Sequence, residues 1–372
     1  MTARAPLDLR AVLTDPKVRV VVTCGSGGVG KTTTAAAMAL FAAESGRKVA
    51  VLTIDPARRL AQSLGLGALD NVPRKVETGP LGAGTGELWA MMLDTRRTFD
   101  EMVSTNANEE LAGKILANPF YKTISTSFSG TQEYMAMEKL SQLASTGEFD
   151  LIVVDTPPSR SALDFLDAPQ RLTSFLDGRM IRLLASPGRG VMKVLGAGFS
   201  IFARAVTSVV GGQMLADAAT FVQLFEGMLG GFQQRAQATY ELLRSSRTAF
   251  VVVAVPEPDA LREASYFADR LRAERMPIAG LVLNRTHPPM ADLTLSSTQD
   301  ALADLGSSEP LATAVLAVHA DRLNVRSQEL RMRARLDRAH PDLPVAEVPA
   351  LPFDAHNLPA LRTIAAHLTG TG

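Results

Sequence analysis

The chain has 372 residues, 38 acidic and 38 basic side chains, 5% aromatic residues and a single cysteine. Balanced charge and few aromatic residues argue against a nucleic-acid partner, and one cysteine excludes an intrachain disulfide or a paired-cysteine zinc site. The polar N-terminus has no secretory apolar region and no run of about 18 apolar residues occurs, so we predict a cytoplasmic protein without a transmembrane helix.

A glycine-rich loop follows the first predicted strand, residues 17–24 (KVRVVVTC), and precedes an Ala-rich predicted helix, residues 33–44. The loop sequence GSGGVGKT fits G-x-x-x-x-G-K-[ST], the phosphate-binding motif of nucleoside triphosphatases, in the expected strand-to-helix context. In such a loop the backbone amides surround the phosphates, Lys31 reaches the β and γ phosphates, and the Thr32 hydroxyl is placed for magnesium. The predicted nucleotide-binding residues here are Gly25, Ser26, Gly27, Gly28, Val29, Gly30, Lys31, Thr32 and Thr33.

Two carboxylates follow apolar predicted strands further along the chain. Residues 48–54 (KVAVLTI) lead into Asp55, and residues 151–154 (LIVV) lead into Asp155. Ligands of open α/β sheets bind at the carboxyl ends of strands, so Asp155 is a candidate magnesium ligand, directly or through water, and Asp55 a candidate for orienting the attacking water. Both acids also suit helix caps or turns.

Two later strands are predicted at residues 249–255 (AFVVVAV) and 278–283 (IAGLVL), and the second ends at Asn284. The Asn side chain has both a donor and an acceptor, the pattern that reads an adenine edge, although Asn is also a common turn residue. The strands and intervening helices predict an α/β protein with a doubly wound, mainly parallel sheet.

A long helical region lies between the predicted strand at residues 151–154 and the predicted strand at residues 249–255. We predict a nucleotide-binding domain formed by residues 17–167 and 246–370, with residues 168–245 as an inserted helical subdomain that residues 96–116 are candidates to join. Residues 191–210 and 213–232 are apolar and contain Gly and Met. This composition suits either a groove for a hydrophobic helix or an ordinary helical core.

The motifs, in this order, resemble those of the ArsA family: the arsenite-efflux ATPases and the ATPases that target tail-anchored membrane proteins. These are P-loop ATPases with a deviant Walker A motif, and actinobacterial members described as anion-transporting ATPases look most similar. The resemblance implies a magnesium-dependent, dimeric ATPase. It places Asp55 in switch I as the water-orienting acid, Asp155 at the start of switch II and Asn284 on adenine. Residues 348–354 (VPALPFD), with Pro352 and Phe353, take the place of the loop that covers the base.

The chain departs from the family at the second position of the glycine-rich loop. Ser26 stands where these ATPases carry a lysine that reaches the partner's nucleotide. Slow turnover by the chain alone is therefore expected, unless the cation comes from Arg58, from Arg59 or from a paralogue that keeps the lysine, in a heterodimer instead of a homodimer. Arg58 and Arg59 also suit a solvated helix start. In switch II, residues 160–161 (RS) replace the family's Gly-His.

The five histidines are scattered without the spacing of a zinc site, and the chain lacks the thiolates of an arsenite site. We read these histidines as surface or cap residues, and the composition argues against arsenite transport. The expected function is an ATPase whose nucleotide state controls a subdomain that binds a hydrophobic client helix or membrane protein, with peripheral association at the membrane as a further possibility. The alternative is a nucleotide-gated scaffold subunit with weak or no hydrolysis. A partition-type ATPase fits poorly, because the sequence shows neither a basic surface nor a C-terminal amphipathic helix of the targeting kind.

Overall fold

The computed structural model describes residues 6–55, 59–79, 86–127, 131–157, 217, 220–221, 223–225, 229–305 and 309–370. The chain divides into two compact units. We call the first the sheet unit; it comprises Met1–Met92, Thr146–Leu163 and Leu242–Gly372. The second, the helical unit, comprises Leu93–Ser145 and Asp164–Glu241.

Eight strands in the described part of the chain form one sheet. They are β1 (Val20–Cys24), β2 (Lys48–Thr53), β3 (Arg74–Lys75), β4 (Glu87–Met92), β5 (Leu151–Asp155), β6 (Thr248–Ala254), β7 (Ile278–Thr286) and β8 (Val345–Pro349). The order is β3-β4-β2-β5-β1-β6-β7-β8, and every neighbouring pair is parallel except β3 with β4. The prediction of an α/β fold with a mainly parallel sheet is confirmed.

Twelve helices lie in the same described residues. They are α1 (Leu9–Thr14), α2 (Lys31–Glu44), α3 (Arg59–Ser63), α4 (Thr95–Asn106), α5 (Glu109–Ala117), α6 (Pro119–Ser127), α7 (Thr131–Thr146), α8 (Leu229–Arg244), α9 (Pro258–Ala273), α10 (Leu295–Leu305), α11 (Pro310–Ala339) and α12 (Leu358–Thr369). None of them is long and apolar enough to cross a membrane.

The central strands are buried on both faces because helices cover the sheet. Every residue of β1, β5 and β6 is buried, which explains their continuous β-branched sequences. Helix α2 packs beside α12, and its run of buried alanines lets it approach the sheet closely. The predicted strands are confirmed with small shifts at their ends, whereas the sequence analysis missed β3, β8 and α1.

In the helical unit, α4 and α6 pack around an aromatic cluster that includes Phe99, Tyr121, Phe221 and Phe225. A buried carboxylate in α7, Glu138, pairs with Arg235 of α8 at 3.1 Å. Residues 168–216 of the predicted subdomain, including its first apolar segment, lie outside the described residues. The boundaries 168–245, with or without 96–116, stay a prediction.

One buried arginine ties together the edge of the sheet opposite the carboxyl ends. Arg47, just before β2, donates hydrogen bonds to the backbone carbonyls of Leu13 (2.8 Å), Asp15 (3.2 Å), Val18 (2.6 Å) and Asp150 (2.6 Å). These carbonyls belong to the ends and connections of α1, β1 and β5. The guanidinium therefore satisfies backbone groups of three elements in a buried place.

We expect Arg47→Met to destabilise the sheet unit strongly, since it leaves buried carbonyls without donors at about 1–3 kcal/mol each. Trp89, the only tryptophan, lies in β4, so its fluorescence reports urea unfolding of this unit. Arg10→Met, at an exposed position of α1, is the matched control. Equal unfolding midpoints for the two variants would contradict the bridging role of Arg47.

Candidate nucleotide-binding site

The glycine-rich loop runs from the end of β1 to the start of α2, and two of its glycines are required by close packing. A Cβ atom on Gly25 would collide with the carbonyl oxygen of Val253 in β6. A Cβ on Gly30 would collide with Nδ2 of Asn284, and Gly30 has a φ of +93°. Glycine allows both the backbone conformation and the approach. The loop is thus held against the ends of β6 and β7.

Lys31 is buried, with 6% of its surface exposed, and its Nζ donates to the Ser26 carbonyl oxygen at 2.8 Å. Burial lowers the pKa of Lys31, and the charges of Asp155, Cys24 and Asp55 oppose that shift. Burial also raises the pKa of Cys24 to about 12. The thiol is therefore inert at neutral pH, as expected of a small core residue.

Asp155 ends β5 in a fully buried position, beside the loop. Its Oδ2 accepts from the Thr53 hydroxyl at 3.0 Å, whereas Oδ1 is buried without a hydrogen-bond partner among the described residues. Burial raises the pKa of Asp155 to about 6, whereas the nearby hydroxyls of Thr32 and Thr53 and the charge of Lys31 lower it. An unsatisfied carboxylate oxygen beside a threonine hydroxyl and the phosphate loop fits magnesium, a cation that prefers oxygen ligands and keeps several waters.

A cavity of about 430 Å³ opens at the carboxyl ends of the strands. Its lining residues are Gly28, Gly30, Lys31, Thr32, Thr33, Asp55, Arg59, Gln62, Ser63, Asn284, Arg285, Val348, Pro349, Ala350, Leu351, Phe353, Asp354, Ala355, His356 and Ile364. Most of the predicted site residues therefore meet around one space. Of the other predicted residues, Asp155 lies behind Thr32, and the lining does not include Gly25, Ser26, Gly27, Val29 or Pro352.

Asn284 in β7 lines the cavity and is hydrogen-bonded to the glycine-rich loop. Its Nδ2 donates to the Val29 carbonyl oxygen at 2.9 Å, and its Oδ1 accepts from the backbone N–H of Arg285 at 3.0 Å. The side chain that the sequence assigns to adenine thus also holds the loop in place. Its remaining amide hydrogen and Oδ1 lone pair are the groups left for a base.

The cavity lining includes residues that the sequence analysis missed. Gln62 and Ser63 come from α3, Arg285 from β7 and Ile364 from α12. Ser63 Oγ donates to the Ala355 carbonyl oxygen at 3.3 Å. No local pattern marks them, because they are brought together only by the fold. The predicted covering loop also begins later than expected, since Val348 and Pro349 are the last residues of β8.

Of the two arginines proposed as substitutes for the missing lysine, Arg59 lies at the cavity. Arg59 is the first residue of α3, is exposed and lines the cavity. Arg58 lies outside the described residues, as do residues 160–161. A contribution of Arg59 to catalysis stays a prediction.

The histidine reading is partly wrong. His319 is buried in α11, and His340 is buried where it ends that helix, hydrogen-bonded to Ser265 (2.6 Å) and Arg272 (2.6 Å). His340 is the C-cap of α11, as the prediction of a cap residue expects. His319 is instead a core residue, because α11 packs against α9 and α10. Within the described ranges, no group of three or more His, Cys, Asp or Glu side chains is placed to hold a metal ion.

Fold and site together define a P-loop nucleotide-binding protein, with a glycine-rich loop between β1 and α2, a buried lysine, and the strand-end acid Asp55 at the cavity. The chain belongs to the anion-transporting ATPase (ArsA ATPase) family, whose model matches residues 18–296. It is 27% identical to "ATPase GET3" of Malassezia globosa, over 76% of this chain and 78% of that protein. It is also 27% identical to "ATPase ARSA2" of Chlamydomonas reinhardtii, over 74% and 70%. A third relative, "ATPase ASNA1 homolog 2" of Paramecium tetraurelia, is 23% identical over 74% and 78%. The protein is an ATPase.

We expect Gly30→Ala to lower the thermal unfolding midpoint more than Gly28→Ala. Both glycines have positive φ, so both variants strain the backbone, but a Cβ on Gly28 meets open space while one on Gly30 meets Asn284. In an Asn284→Gly background, the extra loss for Gly30→Ala should shrink, because the obstructing amide is gone. Equal losses for the two alanine variants would refute the packing argument.

A pH-dependent effect is expected for Asp155→Asn in the nucleotide-free protein. The folded pKa of about 6 lies above the ordinary value of 3.8, so the folded state holds the proton more tightly. The carboxylate therefore lowers the free energy of unfolding as pH rises from about 4 to about 6, and the loss is complete above that range. Asp155→Asn should melt several degrees above the wild type at pH 7.5, and the difference should shrink by pH 4.5. A variant less stable than the wild type at pH 7.5 would contradict this.

Proposed function

We propose that the chain binds ATP with magnesium in this cavity and hydrolyses it by in-line attack of water on the γ phosphate. The observation that carries the proposal is the meeting of Lys31, Thr32, Asp55 and Asn284 around one space, although they come from three distant segments of the sequence. Convergent polar groups at the carboxyl ends of parallel strands support a common ligand.

Each side chain has a distinct task in this proposal. Lys31 turns from the Ser26 carbonyl to the β and γ phosphates. The backbone N–H groups of the loop donate hydrogen bonds to the other phosphate oxygens. Asp55 orients the attacking water, and Asn284 holds the adenine edge under Phe353. Thr32 and Asp155 are the residues that would hold magnesium. When bound, the ion offsets negative charge on the phosphate oxygens.

We also propose that the chain acts as a dimer and turns over slowly by itself. Ser26 has no charge, so a homodimer lacks the trans cation that the family resemblance assigns to this position. A paralogous partner with its own lysine, or Arg59 from the same chain, would complete the site. Arg59 has the support of lining the cavity.

The nucleotide state would control the helical region, which would bind a hydrophobic client helix or a membrane protein, or lie against the membrane surface. This part of the proposal depends on the family resemblance and on the apolar residues 191–210 and 213–232. The first segment and much of the second lie outside the described residues. A nucleotide-gated scaffold subunit with weak or no hydrolysis is the second candidate, and Ser26 favours it.

Steady-state ATPase activity of the purified chain tests the proposal. We expect kcat below about 0.1 s⁻¹, at the slow end for enzymes, and we expect Ser26→Lys to raise it at least about tenfold. The reason is that a lysine at this position supplies the cation that stabilises charge on the transferred phosphoryl group.

Two variants serve as blanks for this measurement. Lys31→Ala should lose ATP binding, whereas Asp55→Asn should bind ATP and fail to hydrolyse it. Rapid turnover by the unmodified chain would refute the role given to Ser26. Activity of Asp55→Asn equal to that of the wild type would refute the role of Asp55.

A further inference from the structure

The strand that carries Asn284 contains an irregularity next to the cavity. In the pairing of β7 with β8, Asn284 is opposite Val348 and Thr286 is opposite Pro349, with a register shift that leaves Arg285 between them. Arg285 has a φ of +56°, a conformation that L-residues other than Gly, Asn and Asp rarely adopt. Bulges of this kind change the direction of a side chain and are frequent beside active sites.

Contacts of the residues directly after the bulge hold Arg285 in this conformation. The Thr286 carbonyl oxygen accepts from the backbone N–H of Ala350 at 2.8 Å. The next residue, His287, donates its backbone N–H to Glu329 of α11 at 3.1 Å, and its Nδ1 lies 2.6 Å from the same carboxylate. Glu329 is 3% exposed and also accepts from Arg326 at 3.3 Å. A buried, multiply bonded carboxylate thus fixes the chain directly after the bulge.

The Arg285 side chain lines the cavity beside Asn284, Val348 and Pro349. It is exposed, and its guanidinium has no hydrogen-bond or ion-pair partner in the part of the chain that the structure describes. The phosphate side of the cavity already has Lys31 and the loop amides. An anchored arginine with positive φ therefore lines the cavity next to Asn284, the residue that the proposed function assigns to the base.

We propose that Arg285 is a nucleotide-contact residue whose guanidinium packs on the face of the purine, and that Glu329 is its positioning residue. The inference depends on the proposed function, in which ATP occupies this cavity. A guanidinium is planar, weakly hydrated and well suited to stack on aromatic rings, which a lysine ammonium does less well. Asn284 then reads the edge of the base while Arg285 covers its face.

Equilibrium binding of ATP to the full chain, measured by calorimetry, tests the contact. Arg285→Ala should raise the Kd about tenfold, and Arg285→Lys should recover only part of the loss. Arg275→Ala is the matched control, because Arg275 also has a positive φ (+57°) and is exposed, but does not line the cavity. Its Kd should stay within about twofold of the wild-type value.

Competition by inorganic tripolyphosphate, which has no base, distinguishes a base contact from a phosphate contact. Arg285→Ala should leave tripolyphosphate binding within about twofold of the wild type, whereas a loss equal to that for ATP would overturn the stacking role. Glu329→Gln should weaken ATP binding in the same direction without changing tripolyphosphate binding. A purely structural defect would weaken both ligands.

The outcomes separate this inference from the proposed function. Equal Kd values for ATP in the wild type and in Arg285→Ala would overturn the inference alone. A wild-type chain that binds neither ATP nor tripolyphosphate would overturn the proposed function and the inference together.

Discussion

The buried ammonium group of Lys31 is the constraint on which the rest of the site depends. Taking a charge out of water is costly, and the protein offsets this with the Ser26 carbonyl and the nearby charge of Asp155. Those partners must come from a loop that curls back over the start of α2 and from the end of β5. A glycine-rich loop meets the first requirement, and a strand adjacent to β1 meets the second. The sheet order and the loop sequence therefore both contribute to stabilising the buried ammonium group of Lys31.

The loop cannot hold this shape by itself, and the strands on its other side complete it. Gly25 packs against the backbone of β6, and Gly30 and Val29 pack against Asn284 of β7. The bulge at Arg285 directly follows Asn284, which is hydrogen-bonded to the phosphate loop. The position of the loop therefore depends on the pairing of β7 with β8. The anchor of that bulge is Glu329, in α11, outside the segment that the family model matches. A site defined by a conventional motif is thus supported by a helix that the motif does not predict.

The sequence was sufficient for the fold class and for the parts of the site that follow local rules. Long β-branched runs predict buried strands because burial on both faces leaves no place for polar residues. The edge strands β3 and β8 have no such runs, so they were missed. Strand β3 consists of two charged residues, and the five residues of β8 include Glu347 and end in Pro349. Arg285 and Ser63 reach the cavity only through strand register and helix packing, which no local pattern records. The burial of His319 likewise depends on the neighbour of its helix.

The charges around the cavity explain why a chain with Ser26 in place of the second lysine would depend on a metal ion. The lining carries three cations, Lys31, Arg59 and Arg285, against two carboxylates, Asp55 and Asp354. With Asp155 near Thr32 also ionised, these charges cancel, so no net positive charge remains for a triphosphate. In a dimer whose loops carried the second lysine, part of this deficit would be met across the interface. With serine there, the deficit falls on magnesium, the loop amides and the helix dipole of α2, which bind the ground state well but add no mobile cation as charge moves during transfer. Under the proposed function, slow turnover is the physical consequence of that balance.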